Sequence, residues 1–225
     1  MIDSIKTFGD SFMYGSDLSD CDGTGMDNWS QLTWPALIAK DLDLTYDCFA
    51  QGARGNQFIA EWVIGQATNN SLVIINWSWI DRFDVHIVKG KVTTLMPGDD
   101  NTTALTYYKN LHSELNDKIR NLMFIHSTHC YLKNHNIPFI STLMDKLLFD
   151  TQWNTNPMII RLQEQLQDDI VYFPDNQTFL EWSRANSYPE SDNWHPLEQA
   201  HQVAADIWLP IYKKAINTHI NNLKD

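Results

Sequence analysis

Residues 72–77 read Leu72-Val73-Ile74-Ile75-Asn76-Trp77, apolar at four consecutive positions and without alternation. Successive side chains of a strand point to opposite faces, so an unbroken apolar run suits a strand covered on both sides, as in a parallel sheet flanked by helices. Further strand candidates lie at 5–8, 44–50, 137–143 and 170–173. Segments of helical length separate these five runs, the alternation that an α/β fold requires.

Working outward from 72–77, Phe58, Ile59, Trp62 and Val63 form an i, i+1, i+4, i+5 stripe behind Asn56, which reads as an N-cap. Leu105, Tyr108, His112, Leu115, Ile119, Leu122, His126 and His129 recur at steps of three and four and predict one long helix over about 104–132. A last helix is expected over about 197–220, kinked or broken at Pro210. Residues 85–95 differ: a Lys89-Gly90-Lys91 turn between β-branched residues predicts a hairpin inserted after the third strand, near the end where open α/β sheets bind ligands. No linker, repeat or low-complexity stretch divides the chain, so one domain is expected over 1–225.

With 28 Asp+Glu against 16 Lys+Arg, the net charge is −12, which opposes non-specific attraction to phosphate backbones and anionic lipid. Nucleic acid and membrane are therefore not expected partners. The composition is 43% hydrophobic with nine Trp, enough for a sizeable core. Apolar stretches such as 72–75 and 122–125 are far shorter than the roughly 20 residues of a membrane helix. The first six residues lack the pattern of a signal peptide, which sets a cytoplasmic expectation. Cys21, Cys48 and Cys130 are scattered and odd in number, as reduced thiols are.

His126, His129 and Cys130 share a helical face, but two of them lie on the apolar stripe and no carboxylate accompanies them, so neither metal nor cofactor is expected. Asp17, Asp20, Asp22 and Asp27 lack the spacing of a calcium loop and read as a solvated active-site loop.

Two segments carry chemistry. In Phe8-Gly9-Asp10-Ser11-Phe12 a hydroxyl follows a strand and a turn-permitting Gly, which aims it into the crevice at the strand's carboxyl end. Turns and helix caps use the same residue types, so this segment alone decides nothing. In Asp192-Asn193-Trp194-His195-Pro196 a carboxylate stands three residues before a histidine, spaced to bond one ring nitrogen and leave the other free as a base. A helix cap is the other reading of that segment.

Taken together, these segments resemble the SGNH or GDSL hydrolases. Phe8-Gly9-Asp10-Ser11-Phe12-Met13-Tyr14-Gly15 is similar to the family's first block, and Ala50-Gln51-Gly52-Ala53-Arg54-Gly55-Asn56 to its second. Asp192, His195 and Pro196, with Ala200-His201-Gln202-Val203-Ala204, are similar to the last, and Trp34-Pro35-Ala36-Leu37-Ile38-Ala39 to the family's first helix. The resemblance implies a three-layer, flavodoxin-like α/β fold with a five-stranded parallel sheet. It also implies a Ser11, His195 and Asp192 triad, an oxyanion site made by the backbone N–H groups of Ser11 and Gly52, and no cofactor. Asp10 is expected to be a buried carboxylate held by backbone N–H groups.

The third block departs from the family pattern. Gly-x-Asn-Asp, whose Asn is a further oxyanion donor, is replaced by Asn76-Trp77-Ser78-Trp79-Ile80-Asp81-Arg82, with Ile80 near the Asn slot and Asp81 at the acidic one. Ser78, Asn56, Arg54 and Arg82 are the candidate substitutes. Trp77 and Trp79 are candidates for the wall of an acyl or sugar pocket, or for core packing. The resemblance implies an esterase of small acyl esters, such as O-acetylated carbohydrate. The alternative is a catalytically impaired module of the same fold, kept for binding. A flavodoxin-like nucleotide binder is disfavoured, because Gly9-Asp10-Ser11-Phe12 lacks the Gly density of a phosphate loop. The natural ester and the oligomeric state are not encoded in any motif.

Overall fold

In chain order, the strands of the computed structural model are β1 (Ser4–Phe8), β2 (Thr45–Cys48), β3 (Ser71–Trp77), β4 (Phe83–Ile87), β5 (Lys91–Leu95) and β6 (Phe139–Leu143). The helices are α1 (Ser11–Tyr14), α2 (Trp34–Asp41), α3 (Asn56–Gln66), α4 (Thr102–Asn110), α5 (Glu114–Asn134), α6 (Pro157–Leu166), α7 (Phe179–Ala185) and α8 (Glu198–Asn222). The structure describes residues 2–21, 28–87 and 91–222; the Lys89-Gly90 part of the predicted hairpin turn, and Asp22 and Asp27 of the acidic segment, lie outside them.

Four strands form a parallel sheet in the order β2-β1-β3-β6, with Phe8 level with Ile75 and Trp77 level with Leu143. Every residue of β3 is buried, as its unbroken apolar run predicts. Its alternate side chains enter two separate cores. Leu72 and Ile74 meet Trp34, Ile38, Ala204, Trp208 and Tyr212 from α2 and α8, whereas Val73, Ile75 and Trp77 meet Ile59, Val63, Leu122, Ile125 and Ile159 from α3, α5 and α6. The result is helix, sheet and helix in three layers.

The sheet has four strands and not the five expected. Residues 170–173 contribute a single parallel bridge, Ser141 to Ile170, because the backbone N–H and C=O of Phe173 are taken by Gln177 and Pro174 follows. The long periodic helix is likewise two. α4 ends at Asn110, and Ser113 caps α5 by accepting from the Asn116 N–H; α4 buries Ala104 and Tyr107 and leaves Leu105 of the predicted stripe exposed, so the stripe does not run unbroken across the two helices. α8 runs through Pro210 as one helix. Asn56 is the first residue of α3 and not its cap. The N–H groups left without intrahelical partners at that end, those of Gly55 and Phe58, donate to the buried Asp84 of β4 at 3.0 and 2.9 Å.

β4 and β5 form the expected antiparallel hairpin, which rests on α4 through Phe83 stacked on Tyr107 at 4.3 Å. His129 does not join a metal cluster among the described residues; its Nε2 bonds Ser141 Oγ at 3.0 Å, and burial pushes its pKa down. No helix among the described residues is long and apolar enough to cross a membrane.

Candidate active site

β1 delivers its end to the site through a turn with no spare room. A Cβ on Gly9 would stand 2.6 Å from Met13 Cγ and 3.1 Å from the Asn76 carbonyl, so only glycine lets β1 pass this close to the end of β3. Asp10 follows as the cap of α1, accepting from the Phe12 N–H at 3.1 Å. It is fully buried and also accepts from Ser78 Oγ at 2.9 Å and Arg82 Nη1 at 3.0 Å. The expected ring of backbone donors is thus one N–H, a hydroxyl and a guanidinium.

Ser11 is the first residue of α1, and its Oγ lies 2.9 Å from His195 Nε2. The loop bearing His195 is closed on itself: Ser191 N–H donates to the His195 carbonyl at 2.9 Å, and Ser191 Oγ accepts from the backbone N–H groups of Asn193 and His195, each at 3.2 Å. Trp194 takes a left-handed φ of 65° in this tight turn. Phe12 meets the His195 ring edge-on at 5.0 Å and fixes its tilt.

The carboxylate on His195 Nδ1 is that of Asp17, at 2.7 Å. This corrects the assignment of Asp192, which is exposed and makes no hydrogen bond to His195 among the described residues. The loop geometry explains it, since the Ser191 hydroxyl occupies the inside of the turn and leaves Asp192 facing solvent. Asp17 follows α1 by way of Gly15, at φ 79°, and itself has φ 70°, a left-handed conformation that Asp tolerates better than most residues. Ser191 Oγ and Asn193 Nδ2 reach the same Oδ2 at 2.7 and 3.1 Å. The bond from Ser191, then those from His195 and Asn193, hold the Asp17 carboxyl below the ordinary carboxylate value against the opposing effect of desolvation.

Sequence reading placed Asp17 in a solvated acidic loop. The signal that separates it from its neighbours is Gly15 at the end of a one-turn helix, which folds the chain back toward Ser11. Asp20 serves the loop itself, accepting from Ser30 Oγ and the Gln31 N–H.

A cavity of about 310 Å³ opens beside Ser11 and His195, lined by Phe12, Trp79, Arg82, Leu180 and Trp194 among others. The remaining predicted residues divide around it. Trp79 forms a wall, with Arg82 lying over its ring at 4.7 Å, while Trp77 is fully buried in the core and donates to Ser141 Oγ at 2.8 Å. Asp81 also borders the cavity, and burial pushes its carboxyl up. Ile80 packs in the core with its N–H on Asp145, away from the cavity lining.

Among the four substitutes for the absent Asn, Ser78 Oγ is consumed between Asp10 and Arg82, and the Asn56 amide between Ser78 and Asn121. Arg54 is tied to Gln51 and to the Val92 carbonyl. Arg82 is the one of the four that lines the cavity. Gly52 lies in an exposed turn after β2, its nearest neighbour for an added Cβ being Ser16 Oγ at 4.0 Å.

No protein-family model matches this sequence, and no curated protein sequence matches it. Solved structures do share its fold. An acetyl xylan esterase, Est2A, from the rumen bacterium Butyrivibrio proteoclasticus superposes with a TM-score of 0.53 at 14% identity, over 96% of this chain and 65% of that one. The psychrotrophic esterase EstA from Pseudoalteromonas sp. gives 0.53 at 10% identity, over 96% and 99%. A family two carbohydrate esterase from Clostridium thermocellum gives 0.52 at 11% identity, over 95% and 64%. This chain thus spans about two thirds of two of these structures and nearly all of the third. The fold is that of the SGNH hydrolases, with four parallel strands in its sheet.

Proposed function

We propose that this protein is a serine esterase acting on small acyl esters. The observation that carries the reading is the 2.9 Å contact of Ser11 Oγ with His195 Nε2 at the mouth of a cavity beside the carboxyl ends of β1 and β3. That is the distance a general base needs to take a hydroxyl proton.

Ser11 Oγ attacks the ester carbonyl as its proton passes to His195 Nε2. On this reading the tetrahedral oxyanion is received by the backbone N–H groups of Ser11 and Gly52, as the resemblance to the family implies. Collapse expels the alcohol, which takes the proton from His195. Water, activated by the same imidazole, then releases the acid from Ser11. Arg82 lines the cavity wall with its Nη1 bonded to Asp10, Ser78 and the Arg54 carbonyl, so it takes part as a support of the nucleophile turn.

O-acetylated carbohydrate is the substrate class we favour. The cavity accommodates a short acyl group, and Trp79 and Trp194 offer aromatic faces at its edge, Trp194 being 68% exposed. The fold neighbours named as acetyl xylan and carbohydrate esterases support this choice. An impaired binding module has less in its favour, because Ser11 and His195 are held in bonding contact.

The test is intact-mass labelling by a fluorophosphonate beside Ser11→Ala, paired with hydrolysis of p-nitrophenyl acetate. One adduct on the wild type alone, with turnover, is the expected result. A folded wild type that neither labels nor turns over overturns the reading.

A further inference from the structure

We propose that Asp17, supplied by the turn after the nucleophile's own helix, is the positioning residue for His195, and that Asp192 has no part in it. The inference rests on the esterase reading for its chemical meaning and on the geometry for its assignment. His195 Nδ1, Ser191 Oγ and Asn193 Nδ2 all converge on Asp17 Oδ2, at 2.7, 2.7 and 3.1 Å. An ionised carboxylate is an acceptor only, so Nδ1 carries its hydrogen and Nε2 presents a lone pair to Ser11. When Ser11 gives its proton to Nε2, the imidazolium stands against a negative oxygen already in contact; Asp17 keeps its charge and takes no proton.

The origin of the acid has a structural consequence. Nucleophile and positioning acid lie six residues apart on one short segment, joined by the α1 turn, in which the Gly15 and Ser16 N–H groups both bond the Ser11 carbonyl at 3.0 Å. The base comes from the far end of the chain. A second tie joins the same two segments, Ser19 N–H donating to Glu198 at 2.8 Å at the start of α8. Docking the segment at 191–198 onto the segment at 11–19 therefore assembles all three groups at once, whereas an acid at position 192 would travel with its histidine.

The positioning role is separable from a loop-tying one. All three donors use one oxygen, so Asp17→Asn can set its amide oxygen at that place, keep the three bonds and remove only the charge; Asn also accepts the left-handed backbone. The experiment compares Asp17→Asn, Asp17→Ala and Asp192→Asn in the full chain. It measures p-nitrophenyl acetate kinetics, the rate of fluorophosphonate labelling, the thermal midpoint, and the ¹⁵N shifts of the His195 ring at a pH where it is neutral. Asp17→Asn is expected to lower kcat at least about tenfold, with KM and the thermal midpoint close to wild type. Asp17→Ala is expected to lose at least as much, with the ring shifting away from the Nδ1-protonated tautomer. Asp192→Asn is expected to stay within about twofold of wild type.

Wild-type rates in both Asp17 variants, or a loss confined to Asp192→Asn, overturn the proposal while leaving the esterase reading intact. A wild type without turnover or labelling overturns the esterase reading instead, and the ring shifts then decide the positioning role alone. An Nδ1-protonated ring that changes in Asp17→Ala supports the role, and one that does not change overturns it.

Discussion

Arg82 Nη1 lies 3.0 Å from Asp10 Oδ2, an ion pair in which the Asp10 side chain is wholly buried and the Arg82 side chain is 14% exposed. The same nitrogen donates to Ser78 Oγ at 2.8 Å and to the Arg54 carbonyl at 3.0 Å. Segments following β1, β2 and β3 thus meet at one atom beneath the turn that carries Ser11. The third block lacks its Asn, yet through Ser78 and Arg82 it builds the support on which the nucleophile turn rests.

Removing that support leaves Asp10 as a buried charge without a cation. Arg82→Met is expected to lower stability by about 3–5 kcal/mol, the usual cost of breaking a buried pair from one side. Arg82→Met combined with Asp10→Asn should recover part of the loss, because the stranded charge is gone. Urea titration of the two variants checks both statements, and a single variant that loses less than about 1 kcal/mol would place the pair in effectively solvated surroundings.

Gly9 offers a steric test of the same turn. An added methyl meets Met13 Cγ at 2.6 Å, which a flexible side chain can relieve, and the Asn76 carbonyl at 3.1 Å, which backbone cannot. Gly9→Ala is expected to cost about 1–3 kcal/mol and to lower turnover more than substrate affinity, since the strain bears on the Ser11 turn. Thermal unfolding and the separate kcat and KM values measure the two effects.

The sheet was readable because burial on both faces removes alternation, and residues 72–77 carry that mark plainly. What periodicity could not supply was where backbone groups find partners. Gln177 takes the bonds that would have extended residues 170–173 into a fifth strand, and Asp84 takes the capping role that the sequence assigns to Asn56. The site shows the same division. Ser11 and His195 announce themselves by motif, but the partner of Nδ1 is chosen by how two loops 178 residues apart dock, and local spacing favoured the nearer acid, Asp192, over Asp17.

Asn56, displaced from its capping role, holds the third block from the inside. Its Oδ1 accepts from the Ser78 N–H at 2.7 Å, and its Nδ2 donates to the Ser78 carbonyl at 3.0 Å and to Asn121 Oδ1 at 2.9 Å, all in buried surroundings. Asn56→Ala leaves those groups unpaired, and a loss of at least about 2 kcal/mol is expected. Urea unfolding measures it, and a neutral variant would mean that water enters and replaces the amide.

His201 gives the fold a pH dependence of defined sign. It is buried on α8, and its Nδ1 accepts from the Trp34 N–H at 3.1 Å, a bond that exists only while that nitrogen is unprotonated. Burial pushes its pKa from 6.5 down to about 3. Between those values the unfolded chain binds a proton that the folded chain does not, so this residue makes stability fall as pH drops below 6.5, with the loss complete near 3. The slope it contributes approaches about 1.4 kcal/mol per pH unit. His201→Gln removes the titration, and whatever it costs at neutral pH, its stability should fall less steeply than that of the wild type between pH 6 and pH 4. Urea titrations across that range test the slope, and parallel curves for the two proteins would show that the His201 side chain is hydrated and takes up its proton in the folded state.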